Sequence, residues 1–368
     1  MRLALAACAV AVLLASAPVP APAAATLSGG RGTLYLAARP GQVLILDEAT
    51  FKTLGAIPLP KTAPGPSYPL QLSQDKKRFL SYSGNLEDIE IVDIASRKVV
   101  DSIRLSEGNR KVRFDGYDGG GESARFLALA VRAATKLVDR FEIGPKVLLE
   151  YDLEKKKPGR AFPWPLGEER EEVEVRYSPD GKLLYLFAED VFIYDTSDLR
   201  LVDTWELSRP LEGGFGRVQL GQADDYWEEP GFMSRVFEVD DPIQHRKLTG
   251  LARIDLTARK LDFWTVGPAR PLRAFSLAPG RKKAYAILQE IGNYELWTFD
   301  LEGRRLDKRT PFAGRPRMRI AVSSNGRVLY AFGAGNTIDL YDAESHRHLR
   351  TVTLDYEFTH LFVFPPER

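Results

Sequence analysis

Short apolar runs that end in aspartate recur along the chain. Seven five-residue runs of this kind occur, and they end at Asp47, Asp93, Asp152, Asp195, Asp255, Asp300 and Asp342. The intervals between successive aspartates are 46, 59, 43, 60, 45 and 42 residues. A second strand-like run follows each aspartate after a few residues, as at residues 200–207. The spacing indicates a repeated unit, in which an Asp side chain bonds its own backbone and sets the turn between two strands.

Polar turns precede some of these runs and complete the unit. Residues 178–182, 278–282 and 323–327 form such turns, and the apolar runs behind them contain Tyr185, Tyr285 or Tyr330. Asp-Gly and Asn-Gly supply the positive φ angles that tight hairpins need. Four antiparallel strands per repeat of about 42–50 residues are typical of a β-propeller blade. The sequence therefore predicts an all-β fold, a seven-bladed β-propeller of four-stranded antiparallel blades.

The two ends of the repeat array complement each other. The first unit begins at residues 33–37 without an upstream innermost strand, and the last unit ends with a spare run at residues 359–364. We expect this C-terminal strand to close the first blade, which leaves no free sheet edge between the ends. Residues 26–368 are then a single propeller domain.

The N-terminal segment has the pattern of a secretory signal. Arg2 precedes an apolar run over residues 3–15, and small residues of the A-x-A type follow at 23–25. Thirteen apolar residues are too few to span a bilayer. We therefore interpret residues 1–25 as a cleaved signal peptide and predict a periplasmic or secreted protein. Cys8 is the only cysteine, so the mature chain has no thiol for disulfides, catalysis or haem attachment.

Charge and motifs exclude several function classes. The chain has 51 Lys and Arg against 50 Asp and Glu, which gives no electrostatic footprint for nucleic acid, and it shows no membrane span. The sequence has no nucleophile elbow, phosphate-binding glycine loop, dinucleotide fingerprint or zinc spacing. His346 and His348 form a conceivable metal pair, but without a third ligand nearby we interpret them as a solvated surface pair.

Aromatic residues in irregular segments are the candidates for partner contact, and the seven aspartates are structural turn residues. The aromatic candidates are Phe162, Trp164, Phe215, Tyr226, Trp227 and Phe232. Exposed aromatics mark interface anchors, although packing between blades is an equal alternative for each. Long connections at residues 132–144, 208–216 and 240–248 are predicted to emerge on the same face, and enlarged loops on one face usually form the binding face.

The unit resembles the YVTN-type, WD40-like propeller repeats. More narrowly, residues 35–47, 141–152 and 249–255 resemble the β subunit of quinohemoprotein amine dehydrogenase. That resemblance implies a periplasmic complex that oxidatively deaminates primary amines. Its tryptophan-derived quinone lies in a small cross-linked subunit, and its c-type haems lie in a di-haem cytochrome subunit. The propeller would then be a scaffold for protein–protein interaction that walls the active site, with no catalytic, cofactor-binding or metal-binding residue of its own. One alternative is a stand-alone periplasmic propeller that binds a small ligand or protein. The other is a lactonase-like hydrolase with a central metal.

Overall fold

Strands and turns make up the part of the chain that is described. The computed structural model describes residues 29–65, 70–119, 125–167, 173–211, 213–224, 226, 229–333 and 335–366. Within these ranges no helix is long and apolar enough to cross a membrane. The predicted signal peptide lies outside the described residues and stays a prediction.

Five separate sheets each contain four consecutive antiparallel strands. The first two consist of β4 (Gln71–Leu72), β5 (Arg78–Tyr82), β6 (Asp88–Asp93) and β7 (Lys98–Arg104), and of β8 (Arg110–Gly119), β9 (Phe126–Lys136), β10 (Phe141–Asp152) and β11 (Lys157–Pro163). The third consists of β12 (Glu174–Tyr177), β13 (Leu183–Phe187), β14 (Val191–Asp195) and β15 (Leu201–Trp205). The last two consist of β16 (Val218–Ala223), β17 (Phe232–Asp241), β18 (Arg246–Asp255) and β19 (Lys260–Pro268), and of β20 (Leu272–Leu277), β21 (Lys283–Glu290), β22 (Asn293–Asp300) and β23 (Arg305–Pro311).

The remaining strands form one seven-stranded sheet that joins the two ends of the chain. Its order is β24 (Arg319–Val322), β25 (Val328–Phe332), β26 (Gly335–Asp342), β27 (His348–Phe364), β1 (Thr33–Ala38), β2 (Gln42–Asp47) and β3 (Thr53–Pro58). The first part of β27 pairs with β26, and its second part pairs with β1 from Phe358 to Phe364. The C-terminal run thus lies beside the first strand, as the sequence indicated.

The predicted count of seven four-stranded blades is wrong. The propeller has five blades of four-stranded antiparallel sheet, because the other strands share the continuous seven-stranded sheet. The sequence pattern divides residues 348–364 into two runs, whereas the structure makes them one 17-residue strand. Main-chain hydrogen bonds therefore run without a break from β24 to β3.

The recurring aspartates form one kind of turn between strands. Asp47 accepts a hydrogen bond from the Thr50 N–H at 2.8 Å, and Asp195 accepts one from Ser197 N–H at 2.8 Å. The other five make equivalent bonds to an N–H two or three residues ahead. The residue four places after each aspartate has a positive φ between 50° and 62°. The side chain stabilises a backbone conformation that most residue types disfavour.

The hydrophobic core lies between neighbouring sheets. The fully buried Tyr185 on β13, for example, shares a cluster with Met233 on β17 and Ile254 on β18. Its hydroxyl donates to the Leu256 carbonyl at 2.6 Å. Because each sheet packs its two faces against two neighbours, the strands that begin the blades meet around an axis, where β20 contacts both β16 and β24.

A buried carboxylate fastens the last strands to the first ones. Glu48, which directly follows β2, is 0% exposed. It accepts hydrogen bonds from Gly32 N–H at 2.7 Å, Ser324 N–H at 2.8 Å and the Tyr330 hydroxyl at 3.0 Å, and a fourth from the Ser324 hydroxyl. Ser324 is 276 residues away in sequence. The contact supplements the main-chain pairing between β27 and β1 and holds the turn after β24 in place.

Candidate functional site

Three adjoining cavities follow the axis of the propeller. Their volumes are about 530, 290 and 300 Å³. Gln222 on β16 and Arg319 on β24 line all three. We call the 530 Å³ cavity the mouth and the more apolar 300 Å³ cavity the chamber. The volume of the chamber is at the lower end of the range for small-molecule sites.

Arginines concentrate at the mouth. Arg273, Arg317 and Arg319 line it together with Glu290. Glu290 already pairs with Arg270, at 2.7 Å. The side chains of Arg273 and Arg317 form no hydrogen bond or ion pair with any other described residue. Among the described residues, Arg273 and Arg317 therefore contribute unpaired positive charge to the mouth of a protein whose formal net charge is only +1.

The chamber has a largely apolar wall with a few polar groups. Its apolar lining includes Ala274, Phe275, Ile320, Val322 and Leu361. Arg273 and Arg319 line both the chamber and the mouth. These two arginines therefore lie at the boundary between the two cavities. Asp224 also borders the chamber, and its carboxylate accepts a hydrogen bond from Leu277 N–H at 3.0 Å.

His360 is the buried polar group of this site. It lies on β27, is 3% exposed, and borders both the chamber and the 290 Å³ cavity. Its Nδ1 is 3.2 Å from the Thr359 hydroxyl, and its Nε2 has no hydrogen-bond partner among the described residues. Burial first, and then the charge of Arg319, lower the pKa of His360 well below its usual value. The imidazole is therefore neutral near pH 7, and one polar nitrogen stays open to a ligand.

The 290 Å³ cavity is bordered by an ion-pair network of one carboxylate and two guanidinium groups. Glu174 on β12 pairs with Arg176 at 2.9 Å and with Arg235 at 3.2 Å. Burial raises the pKa of Glu174, but the guanidinium of Arg235 and then that of Arg176 outweigh it, so the pKa is lower than usual. The ion pair between Glu174 and Arg235 connects β12 with β17, the second strand of another four-stranded sheet.

The aromatic candidates do not form one patch. Phe162 and Trp164 pack in the same core cluster, with Lys146 Nζ 4.5 Å from the Trp164 ring centroid, and Phe215 packs in another cluster. Tyr226 meets the edge of Phe364 at 5.6 Å, and the Arg253 guanidinium lies 4.3 Å from the ring centroid of Phe232. Trp227 lies outside the described residues. Partner contact through these side chains stays a prediction.

The histidine pair differs from the sequence interpretation. His346 is only 4% exposed and lies between the hydroxyls of Thr298 at 2.7 Å and Thr310 at 2.8 Å, so describing it as solvated is wrong. His348 is exposed, next to Thr351. In the described part of the chain, no group of three or more His, Cys, Asp or Glu side chains is arranged to hold a metal ion.

Large apolar side chains are exposed at the tips of three hairpins. Val138, Phe141 and Ile143 belong to the β9–β10 hairpin, Ile243 to the β17–β18 hairpin and Ile291 to the β21–β22 hairpin. All three hairpins join the second and third strands of a four-stranded sheet, so they emerge at the same end of the propeller. Ile291 also lines the mouth. We call these five side chains the hairpin face. The sequence analysis named two of its three hairpins, as the long connections at residues 132–144 and 240–248.

Comparisons with known proteins identify the fold. No family model matches the sequence, and no curated protein is significantly similar to it. Hydrazine synthase of Kuenenia stuttgartiensis aligns with 89% of this chain and 94% of its own, at 12% identity and a TM-score of 0.50. The dihydro-heme d1 dehydrogenase NirN, solved in complex with DHE, aligns over 94% and 77% at 12% identity and a TM-score of 0.52. A functionally unknown protein from Desulfotomaculum acetoxidans aligns over 92% and 100% at 12% identity and a TM-score of 0.51.

These structural relatives are β-propeller proteins. At this level of identity the similarity shows the fold alone. The structures named above do not include a quinohemoprotein amine dehydrogenase, so the narrower resemblance of the sequence contributes only to a proposal.

Proposed function

We propose that this chain is a non-catalytic propeller subunit that docks a partner protein on its hairpin face. The observation that supports this most is the exposure of five large apolar side chains at one end of the molecule. Removing such a side chain from water is worth about 1.5–3 kcal/mol. Hydrophobic side chains grouped on one face of a soluble protein mark an interaction surface.

The hairpins are rigid enough to serve as anchors. Paired residues extend the β9–β10 hairpin out to Lys136 and Phe141, and β8 pairs with β9 up to Thr135. Val138 and Phe141 therefore project from a hydrogen-bonded three-stranded extension. An anchor that is ordered before binding loses little conformational entropy on association.

The sequence resemblance suggests which partner this face accepts. In the proposed complex, the quinone-bearing small subunit docks on the hairpin face, a di-haem cytochrome is the third subunit, and the assembly oxidises primary amines in the periplasm. The propeller contributes shape, by holding the partner and excluding water from the reacting centre. The apolar anchors would carry the affinity, since the formal net charge of +1 gives little long-range attraction.

Affinity purification from the native host tests this proposal. A tagged full-length chain should bring down a haem-containing and a quinone-staining protein from a periplasmic extract, whereas the pure chain should be colourless and inactive towards amines. The triple variant V138S/F141S/I143S should lose both partners. The matched control is L54S/V100S/L201S, which changes exposed apolar residues on outermost strands and should keep them. Amine oxidation by the pure chain, or retention of partners by the first variant, would contradict the proposal.

Ligand binding by a stand-alone propeller is the second candidate. The axial cavities favour it, because they combine a chamber of about 300 Å³ with an open nitrogen on His360. Failure to recover any partner, together with binding of a small molecule, would favour this candidate over the first.

A further inference from the structure

We propose that the axial cavity binds a small organic carboxylate, whose anionic group meets Arg273 and Arg319 while its apolar part occupies the chamber. This inference concerns the axis and does not depend on the docking of a partner at the hairpin face. It rests on the position of the arginines, the apolar wall behind them and the open nitrogen of a buried histidine.

The position of the arginines provides a receptor for an anion. Arg273 and Arg319 line both the mouth and the chamber, and Arg317 adds a third positive charge at the mouth. Glu290, the acidic residue of the mouth, is already paired with Arg270. A guanidinium donates two parallel hydrogen bonds to a carboxylate, so it fixes both the charge and the orientation of the ligand.

The chamber behind the arginines selects for an apolar body. Phe275, Ile320 and Val322 contribute to its wall. Because a purely ionic ligand would gain nothing from such a wall, the occupant needs a hydrocarbon part next to its acid group. Pockets with an apolar lining and a few oriented polar groups are the usual form of small-molecule sites.

The open nitrogen of His360 indicates a polar contact that the free protein does not make. Its Nε2 is buried and lacks a partner among the described residues. An unsatisfied buried polar atom is destabilising, and a ligand atom in the chamber that bonds to Nε2 would remove that cost. Neutral imidazole offers either a donor or an acceptor there, according to its tautomer.

Asp224 favours a monoanion over a dianion. Its carboxylate borders the same chamber and would repel a second negative charge. A carboxylate therefore fits better than a phosphate, although arginines bind both groups. Entry is possible through the mouth, where Ile291 places the opening beside the hairpin face.

Calorimetric titration of the full-length mature chain at low ionic strength tests the proposal. The probes are straight-chain, branched and aromatic monocarboxylates up to the size of phenylpropionate, with phenylacetamide, phenethylamine and inorganic phosphate for comparison. At least one carboxylate should bind with one-site stoichiometry and raise the melting temperature. The amide, the amine and phosphate should bind at least about tenfold more weakly.

Variants assign the binding to the axis. R273Q and R319Q should each weaken carboxylate binding about ten- to a hundredfold. R347Q, which changes an exposed arginine in the turn after β26, should bind like the wild type. H360L should weaken binding while the unliganded variant melts no lower than the wild type, because the unsatisfied nitrogen is gone.

Several results would overturn the proposal. These are failure of the whole carboxylate panel to bind, equal binding of acid and amide, tighter binding of phosphate, or undiminished affinity in R273Q/R319Q. The V138S/F141S/I143S variant should bind the panel like the wild type. A failure of partner docking and a failure of ligand binding are therefore separable outcomes.

Discussion

The contact made by Glu48 lends itself to a quantitative test. Glu48→Gln keeps the size of the side chain but removes its charge and replaces one acceptor oxygen by a donating NH₂ group. In the native structure one carboxylate oxygen accepts from Ser324 N–H and the Tyr330 hydroxyl, and the other accepts from Gly32 N–H and the Ser324 hydroxyl. Whichever way the amide is oriented, one buried backbone N–H then faces a donor.

The expected loss follows from the bonds that change. Leaving one buried N–H unsatisfied costs about 1–3 kcal/mol, and hydrogen bonds to a charged group exceed neutral ones by about 1 kcal/mol each. Together these terms predict that E48Q lowers the free energy of unfolding by about 3–5 kcal/mol. Tyr330→Phe removes one of the four donors and should cost about 1–2 kcal/mol. The double variant should lose less than the sum, because both changes act on the bond between these two side chains.

Equilibrium unfolding in urea, followed by tryptophan fluorescence, measures these differences. Glu344→Gln is the control, since Glu344 is an exposed residue of the turn after β26 and its change should leave stability within about 0.5 kcal/mol. If E48Q were as stable as E344Q, the carboxylate would not be holding the turn after β24 and the reasoning would be refuted.

Three further predictions concern stability. Truncation after Tyr356 removes the half of β27 that pairs with β1, whose buried apolar side chains are worth about 1.5–3 kcal/mol each; the chain should not fold, and a truncated protein with the wild-type melting temperature would contradict this. Burial, and then the charge of Lys308, lower the pKa of His346 to about 4. The unfolded chain therefore takes up a proton below pH 6.5 that the folded one excludes, and stability should fall by up to about 3 kcal/mol as the pH drops from 6.5 towards 4. In H346Q this part of the pH dependence of unfolding should vanish; an unchanged slope would argue against it. A Cβ on Gly250 would lie 2.1 Å from the Trp264 carbonyl oxygen, whereas one on Gly55 would meet nothing within 4 Å. Thermal unfolding should therefore show G250A destabilised by about 1–3 kcal/mol and G55A little changed, and equal melting temperatures would disprove the crowding argument.

Local chemistry explains what the sequence could predict. An aspartate such as Asp47 accepts a hydrogen bond from a backbone N–H three residues away, so a short stretch of sequence is enough to predict its role. The alternation of apolar residues likewise predicts the strands. By contrast, the count of blades depended on whether residues 348–364 form one strand or two. The strands that pair with residues 348–364 decide this: β26 near the C-terminus and β1 near the N-terminus. The local sequence pattern does not show which strands will pair.

The axial site was not predictable for the same reason. His360 and Asp224 carry no motif, and only the arrangement of the inner strands brings them to the same chamber. Aromatic candidates such as Trp164 stood out because they lie in irregular segments, yet Trp164 is only 9% exposed. The irregularity of a segment does not reveal whether a particular side chain in it is exposed or buried. Charged residues at equivalent positions of successive inner strands are a better indication of an axial site.

The shared strand β27 also has a consequence for elasticity. Among the described residues, the other adjacent blades share no strand, whereas the sheets on either side of β27 are coupled by one uninterrupted backbone. Any widening of the ring that admits a molecule to the axis should therefore occur between the other sheets, which share no strand. Amide hydrogens between Phe358 and Phe364 should accordingly be among the slowest in the protein to exchange with deuterium.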